Sequence, residues 1–172
     1  MTEYVALLRG VNVGKITVKS ADLADMARGL GLDDVRTVLA TGNLTFTSSA
    51  KAPALKKQIE AALRDRFGYD AWIVLTTAEH LRAVVDAYPF SERDDRQPYV
   101  MYGSDPKVLD EVDAAARDLP EADERTERGD GVIYWDCPKG HSTDTPFAKL
   151  AAKPRYKSTT TTRNLRTLRK LL

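Results

Sequence analysis

Cysteine and histidine are scarce in this sequence. Its 172 residues include one cysteine, Cys137, and two histidines, His80 and His141. A single cysteine excludes an intramolecular disulfide and favours a reducing compartment. Two histidines and one cysteine that lie far apart do not make a zinc site. The sequence therefore predicts neither a disulfide scaffold nor a metal centre.

Long apolar runs are also missing. No segment approaches the roughly 18 consecutive apolar residues of a membrane span. The first residues, Met1–Glu3, lead into a strand-like run without a basic and apolar leader. A chain of 172 residues is long enough for one substantial core or two small ones. We therefore expect a soluble cytoplasmic protein that folds without covalent cross-links.

Charge is unevenly distributed along the chain. The net charge is only +1, but eight cations and no acidic residue follow Asp144, which leaves −7 on residues 1–144. A basic segment of this kind is a candidate footprint for phosphates or nucleic acid. The alternative is a face that is solvated or paired with acidic parts of the same chain.

The segment from Tyr4 to Lys15 joins an apolar run to a polar loop that contains glycine. Tyr4–Leu8 predicts a strand that is covered on both faces. The two glycines, two cations and one asparagine of 9–15 are typical of a loop whose backbone amides bind an anion. The candidate binding residues of this loop are Arg9, Asn12, Gly14 and Lys15. A structural turn, in which the glycines only provide positive φ angles, explains the same residues equally well.

The same loop differs from the nucleotide-binding P-loop. Only three residues separate Gly10 from Gly14, and Lys15 is followed by Ile16 instead of the serine or threonine that binds magnesium. The sequence therefore predicts no P-loop and no cofactor.

Periodicity in the first half predicts the order β-α-β-β-α-β. After the first strand come a helix from Ser20 to Gly31, a hairpin of Val35–Ala40 and Leu44–Thr47, a helix from about Pro53 to Gly68, and a strand at Ala71–Leu75. This is the ferredoxin-like order. In its usual sheet the first strand lies beside the third, so the first loop and the hairpin turn emerge from the same end. We therefore add the turn residues Thr41, Gly42 and Asn43 to the candidate site.

A connecting helix and a charged loop come next, and Thr76 and Glu79 are the predicted capping-box pair of that helix. After the loop, a similar order of elements repeats. The second half contains a strand at Tyr99–Gly103, a helix from Asp105 to Pro120, a hairpin of Ala122–Arg128 and Val132–Asp136, a short helix near Pro146, a strand at Tyr156–Thr160, and a final helix capped by Thr162 with Leu165, Leu168 and Leu172 on its apolar face. We predict an α+β fold of two ferredoxin-like (βαββαβ) subdomains in tandem. Their expected limits are 1–76 and 98–172, joined by 77–97, and the second subdomain ends in a basic helix.

That final helix offers a second group of candidate binding residues. Its cations are Arg163, Arg166, Arg169 and Lys170. Phosphates bind readily at the start of a helix. Stacking aromatics are not expected, because Trp72, Tyr99 and Trp135 lie in runs predicted to be buried. The consensus of sequence-specific RNA-recognition domains is also missing.

Catalytic side chains are few. Cys137 precedes Pro138 at a predicted strand end and is expected to be a small buried residue, not a nucleophile. His80 is expected on a helix surface. His141 lies in a polar loop and is the one candidate proton carrier.

Four motifs, taken in order, resemble the markers of one widespread bacterial family. They are Leu7–Gly14, Thr41–Phe46, Pro138 with Gly140, and Thr162–Asn164 followed by Thr167 and Lys170–Leu171. The family is domain of unknown function 1697 (DUF1697), and the resemblance spans nearly the whole chain. It implies two ferredoxin-like subdomains in one chain. It implies no established activity, cofactor or substrate.

Together these features favour a binding module for a phosphorylated or other anionic ligand, with a nucleotide or nucleic acid among the candidates. The predicted ligand-binding residues are Arg9, Asn12, Gly14, Lys15, Thr41, Gly42, Asn43, Arg163 and Asn164. One alternative is an enzyme that acts on a small phosphorylated or nucleotide-like substrate, with His141 carrying a proton. Another is a structural or partner-binding protein whose motifs hold the two halves together.

Overall fold

The computed structural model describes residues 1–9, 17–38, 42–68 and 70–172. The chain divides into two compact units. The first consists of Met1–Arg82 with Lys170–Leu172, and the second of Ala83–Arg169. Each unit contains a four-stranded antiparallel sheet with helices, which confirms the α+β class. The predicted domain limits stay a prediction.

The first unit has the element order β-α-β-β-α-β. Its elements are β1 (Thr2–Arg9), α1 (Ser20–Gly29), β2 (Asp33–Thr37), β3 (Asn43–Ser48), α2 (Ala52–Phe67) and β4 (Trp72–Thr77), after which α3 (Ala78–Asp86) begins. The strands lie in the order β2-β3-β1-β4. Because β1 pairs with β3 from Thr2↔Ser48 to Leu7↔Asn43, the predicted adjacency of the first and third strands is confirmed.

The core of this unit lies between its sheet and the helices α1 and α2. Ala6, Leu8 and Ile73 are buried on the strands and pack with apolar residues of both helices. Side chains alternate between the two faces of a strand. Leu7 and Arg9 therefore lie on the face opposite to these helices.

The ends of the helices differ in part from the predictions. Gly31 and Gly68 follow α1 and α2 with φ angles of +81° and +69°, as a C-terminal glycine should. Ser20 is the first helical residue and not the N-cap, which is Lys19. The prediction that Thr76 and Glu79 form the capping box of the connecting helix is also wrong. The cap is Thr77, whose Oγ1 accepts the His80 N–H at 3.1 Å.

The first hairpin is described in part. Its first strand, β2, covers Asp33–Thr37, and its predicted end at Ala40 lies outside the described residues. Residues 39–41 lie outside the described residues, so the predicted turn at Thr41–Asn43 is described only from Gly42 onward.

The second unit repeats the sheet topology. Its elements are β5 (Arg96–Gly103), α4 (Pro106–Arg117), β6 (Arg125–Arg128), β7 (Val132–Pro138), α5 (Pro146–Ala151), α6 (Pro154–Lys157), β8 (Thr160–Asn164) and most of α7 (Leu165–Lys170). The strand order is β6-β7-β5-β8. Asp105, where this helix was predicted to begin, caps α4, since its carboxylate accepts the N–H groups of Lys107 and Val108.

The core of the second unit lies under one face of this sheet. Met101, Ile133, Trp135 and Cys137 are buried there, and they pack with residues of α4, α5 and α6 such as Phe147. The strand neighbours of these residues point to the opposite face.

The last strand and helix are the largest error of sequence prediction. Tyr156 begins no strand; it lies in α6, and β8 starts at Thr160. Thr162 is a strand residue that pairs with Met101, so it does not cap the final helix. Asn164 takes that role, because its Oδ1 accepts the Arg166 N–H at 2.9 Å. Leu172, expected on the apolar face, is 37% exposed, whereas Leu171 is fully buried.

The chain end belongs to the first unit. Leu171 is buried, and its carbonyl accepts a hydrogen bond from the Arg36 guanidinium at 3.5 Å. Every helix in the described part of the chain is too short or too polar to cross a membrane.

Candidate functional site

Several strand ends of the first unit meet at one end of its sheet. The Leu8 N–H donates to the Gly42 carbonyl at 2.9 Å, and the Val38 N–H donates to the Asn43 carbonyl at 3.1 Å. The final residue of β1, Arg9, pairs with Trp72, which begins β4. We call the group formed by Arg9, Gly42, Asn43 and Trp72 the rim.

Arg9 is the cation of the rim. It is half-buried and lies on the face opposite to α1 and α2. Burial lowers the pKa of its guanidinium because removal from water disfavours the charged form. Arginine nevertheless stays protonated at neutral pH. A partly desolvated cation interacts more strongly with an anion than a cation in open water does.

Gly42 and Asn43 form the start of β3. Gly42 has a φ of +71°, a conformation that suits glycine. The Asn43 amide Nδ2 donates to the Val38 carbonyl at 3.1 Å, and the residue is only 4% exposed. Asn43 therefore stabilises the end of the hairpin, and its role as a ligand-binding group stays a prediction.

Trp72 completes the rim. Its neighbour Ile73 is buried against the helices, whereas Trp72 is half-buried on the opposite face. The prediction that Trp72 and Tyr99 are buried is wrong, because both side chains are partly exposed. The prediction that Trp135 is buried is confirmed, since it is 4% exposed. Because Trp72 and Ile73 are both apolar, the sequence contains no signal that separates their faces.

Four predicted site residues lie outside the described residues. They are Asn12, Gly14, Lys15 and Thr41. Their participation in binding stays a prediction.

Arg163 and Asn164 lie in the second unit, on β8. Arg163 pairs across the sheet with Val100, and its guanidinium donates to the Thr161 hydroxyl. The side-chain oxygen Oδ1 of Asn164 accepts the Arg166 N–H and caps α7. Both side chains therefore have local structural contacts.

Part of the basic C-terminal segment is paired within the second unit. Arg155 lies 2.7 Å from Glu111, and Arg169 donates to both carboxylate oxygens of Glu92. The hydrogen bonds from Arg169 lower the pKa of Glu92. These contacts agree with an internally paired face for two of the cations.

A buried ion cluster in the second unit escaped sequence analysis. Asp136, 1% exposed, accepts hydrogen bonds from Arg96 at 3.0 Å and from Arg125 at 3.1 Å. Arg96 also lies 2.9 Å from Asp123. The available signal was one carboxylate within the apolar run 132–137. Arginines and carboxylates both line the adjacent cavity of about 400 Å³, so its charge is mixed.

The chain is similar to one protein family and to a solved structure. The family model of DUF1697, a protein of unknown function, matches residues 1–134. This chain belongs to the DUF1697 family. The solved structure of a conserved bacterial protein from Streptococcus pneumoniae resembles it, with 29% sequence identity and a TM-score of 0.84 over 99% of this chain and 96% of that chain. None of the curated proteins matches.

The cysteine and both histidines of this DUF1697 chain lie among the described residues. Cys137 is fully buried, as predicted, and burial raises the pKa of its thiol to about 11. His141 is exposed, with Nδ1 at 3.1 Å from the Asp144 carboxylate. His80 lies 3.1 Å from the Thr76 hydroxyl. No group of three or more metal-ligating side chains occurs among the described residues.

Proposed function

We propose that this DUF1697 protein is a binding module for a phosphorylated or other anionic ligand, held at the rim of the first unit. The hydrogen bond between Leu8 and Gly42 carries the proposal, because it fixes the end of β1 beside the start of β3. Arg9 therefore lies next to the hairpin whose turn chemistry suits an anion-binding backbone.

The electrostatics of Arg9 support an anionic ligand. Its guanidinium is partly removed from water, which lowers its pKa and makes a negatively charged partner favourable. Arginine also presents a planar set of N–H donors that matches the oxygens of a phosphate or carboxylate.

The proposed site includes residues on both sides of this junction. Asn12, Gly14 and Lys15 follow Arg9 in the sequence, and Thr41 precedes Gly42. Lys15 would add a second positive charge, and Asn12 and Thr41 would add neutral hydrogen-bonding groups.

Arg163 and Asn164 form a separate and lesser part of the proposal. Arg163 would bind an anion within the second unit, and Asn164 lies at the start of α7. Their contacts with Thr161 and Arg166 give both residues a structural explanation as well.

We further propose that each unit is a ferredoxin-like subdomain and that the protein is cytoplasmic. The strand orders β2-β3-β1-β4 and β6-β7-β5-β8 support the first statement. The single cysteine supports the second.

A structural role of the motif residues is the second candidate. The Asn43 amide holds the hairpin through the Val38 carbonyl, and Asn164 caps a helix. Under this alternative, replacement of Arg9 would lower stability while no ligand is bound.

Calorimetric titration tests the proposal. Nucleotides, pyrophosphate and short single-stranded DNA are titrated at about 50 and 200 mM salt into the wild type and Arg9→Ala. Arg28→Ala is the matched control, because Arg28 is an exposed arginine of α1 that pairs with Asp25 at 3.6 Å. We expect binding that weakens with salt, is lost in Arg9→Ala and persists in Arg28→Ala.

Two outcomes would overturn the proposal. One is binding that does not respond to salt, and the other is equal affinity in Arg9→Ala and the wild type. A lowered melting temperature of Arg9→Ala without detectable binding in the wild type would favour the structural role. Turnover of the same compounds, followed in parallel, would indicate an enzyme.

A further inference from the structure

Arg9 and Trp72 form a directly opposed pair on two neighbouring strands. β1 ends at Arg9, β4 begins at Trp72, and the antiparallel register places them opposite each other. Side chains of such a pair extend from the same face, with Cβ atoms about 4.5–5.5 Å apart. A cation and the largest aromatic side chain are thus neighbours at the end of the sheet.

The position of this pair in the sheet leaves it partly accessible. The adjacent pair Leu8↔Ile73 points into the core with α1 and α2, and both residues are at most 2% exposed. Arg9 and Trp72 point to the other face, and both are half-buried. β4 is an outer strand of the first sheet. Trp72 and Arg9 are therefore two partly exposed neighbours on this face of the sheet.

The two side chains favour different parts of one ligand. A guanidinium binds phosphate oxygens through charge-assisted hydrogen bonds. An indole face binds a flat aromatic ring, and stacking of this kind accepts any nucleobase. Inorganic phosphate and sugar phosphates would satisfy only the first of these groups. A nucleoside monophosphate carries the charge and the ring within one small molecule.

We infer that the ligand of the rim is a mononucleotide, with its phosphate on Arg9 and its base stacked on Trp72. This inference rests on the proposed anion site and names the class of ligand that the site takes. It gives Trp72 a binding role that is separate from the packing of the core.

Titrations with three related compounds test the inference. Adenosine monophosphate, ribose 5-phosphate and inorganic phosphate are each titrated into the wild type, Trp72→Leu and Trp72→Phe. Leucine keeps an apolar side chain without a ring, whereas phenylalanine keeps a ring that can stack. Unfolding curves of both variants establish that they are folded.

We expect the wild type to bind adenosine monophosphate roughly tenfold more tightly than ribose 5-phosphate, as one base stack would provide. Trp72→Leu should lose this advantage and bind the two compounds equally. Trp72→Phe should keep most of it. The affinity for ribose 5-phosphate should stay the same in all three proteins.

Failure of the inference is distinguishable from failure of the proposed function. Equal affinities for adenosine monophosphate and ribose 5-phosphate in the wild type, or no effect of Trp72→Leu, would overturn the stacking role while the anion site stands. No binding of any of the three compounds would overturn the anion site and the inference together.

Discussion

The backbone N–H of Leu8 donates to the carbonyl of Gly42 at 2.9 Å, although the two residues lie far apart in the sequence. This bond continues the β1–β3 pairing beyond Leu7↔Asn43. It brings the end of one strand, with Arg9, against the start of another. The binding site proposed for this DUF1697 protein depends on that junction.

Replacement of Gly42 should weaken the junction. Gly42 has a φ of +71°, which costs a residue with a Cβ atom about 1 kcal/mol or more. We expect Gly42→Ala to lower the free energy of unfolding by about that amount and to weaken ligand binding. Urea titration and calorimetry would measure the two effects.

Gly29→Ala is the matched control for this change. Gly29 is the last residue of α1, and an added methyl group there meets no atom within 4 Å. Alanine is also the better helix former. An equal loss of stability in both variants would contradict the strain assigned to Gly42.

The buried carboxylate of Asp136 should be the most sensitive charged group of the second unit. Asp136→Asn removes the negative charge that Arg96 and Arg125 face. Breaking a buried ion pair by removing one partner costs about 3–5 kcal/mol, because the other charge stays buried. Thermal or chemical unfolding should therefore show a loss of roughly 3 kcal/mol.

Asp95→Asn provides the comparison, because Asp95 and its partner Arg93 are both exposed, at 63% and 66%. Exposed ion pairs contribute about 0–1 kcal/mol. Similar losses of stability in the two variants would show that the Asp136 cluster contributes no more than a surface ion pair.

Stability should depend on pH through Glu92. Hydrogen bonds from Arg169 lower the pKa of its carboxyl below the ordinary value of 4.5. The folded state therefore binds this proton less readily than the unfolded state does. The stabilisation is present above the ordinary pKa and is lost as pH falls through the lowered one.

Arg169→Ala should return the pKa of Glu92 toward 4.5 and reduce the fall in stability on acidification. NMR titration of the Glu92 carboxyl and unfolding curves at several acidic pH values would measure both changes. Because the pair is partly exposed, its contribution should be below about 1 kcal/mol and should decrease with salt. An unchanged Glu92 titration in Arg169→Ala would contradict this account.

Cys137 should be unreactive in the folded protein. Its side chain is fully buried, and the pKa of its thiol is raised to about 11, so little thiolate exists near neutral pH. Labelling with a thiol-specific disulfide reagent should proceed only after denaturant is added. An exposed thiol introduced by Ser49→Cys should label at once, and rapid labelling of native Cys137 would contradict its burial.

Local patterns explain why most elements of the fold could be predicted. Gly31 and Gly68 end their helices, and Asp105 caps another, because each residue acts within its own turn. The end of the chain could not be read in this way. Pro154 starts a short helix, although the threonines that follow it favour a strand. Tyr156 lies in this helix because its side chain packs into the core, which a local sequence pattern does not indicate.

The candidate site could be predicted only in part. The position of Arg9 beside Gly42 follows from strand order, which the element pattern indicates. Trp72 and Asp136 were missed because composition alone does not tell which face of a strand a residue occupies. That information comes from the register, which pairs Trp72 with Arg9 and brings Asp136 opposite Pro98.

Backbone amide NMR during titration with adenosine monophosphate tests the central claim most directly. The account predicts saturable shifts concentrated at Arg9, Gly42, Asn43 and Trp72, and their disappearance in Arg9→Ala but not in Arg28→Ala. Shifts confined to other parts of the chain would contradict the account. So would the absence of shifts at a large excess of adenosine monophosphate.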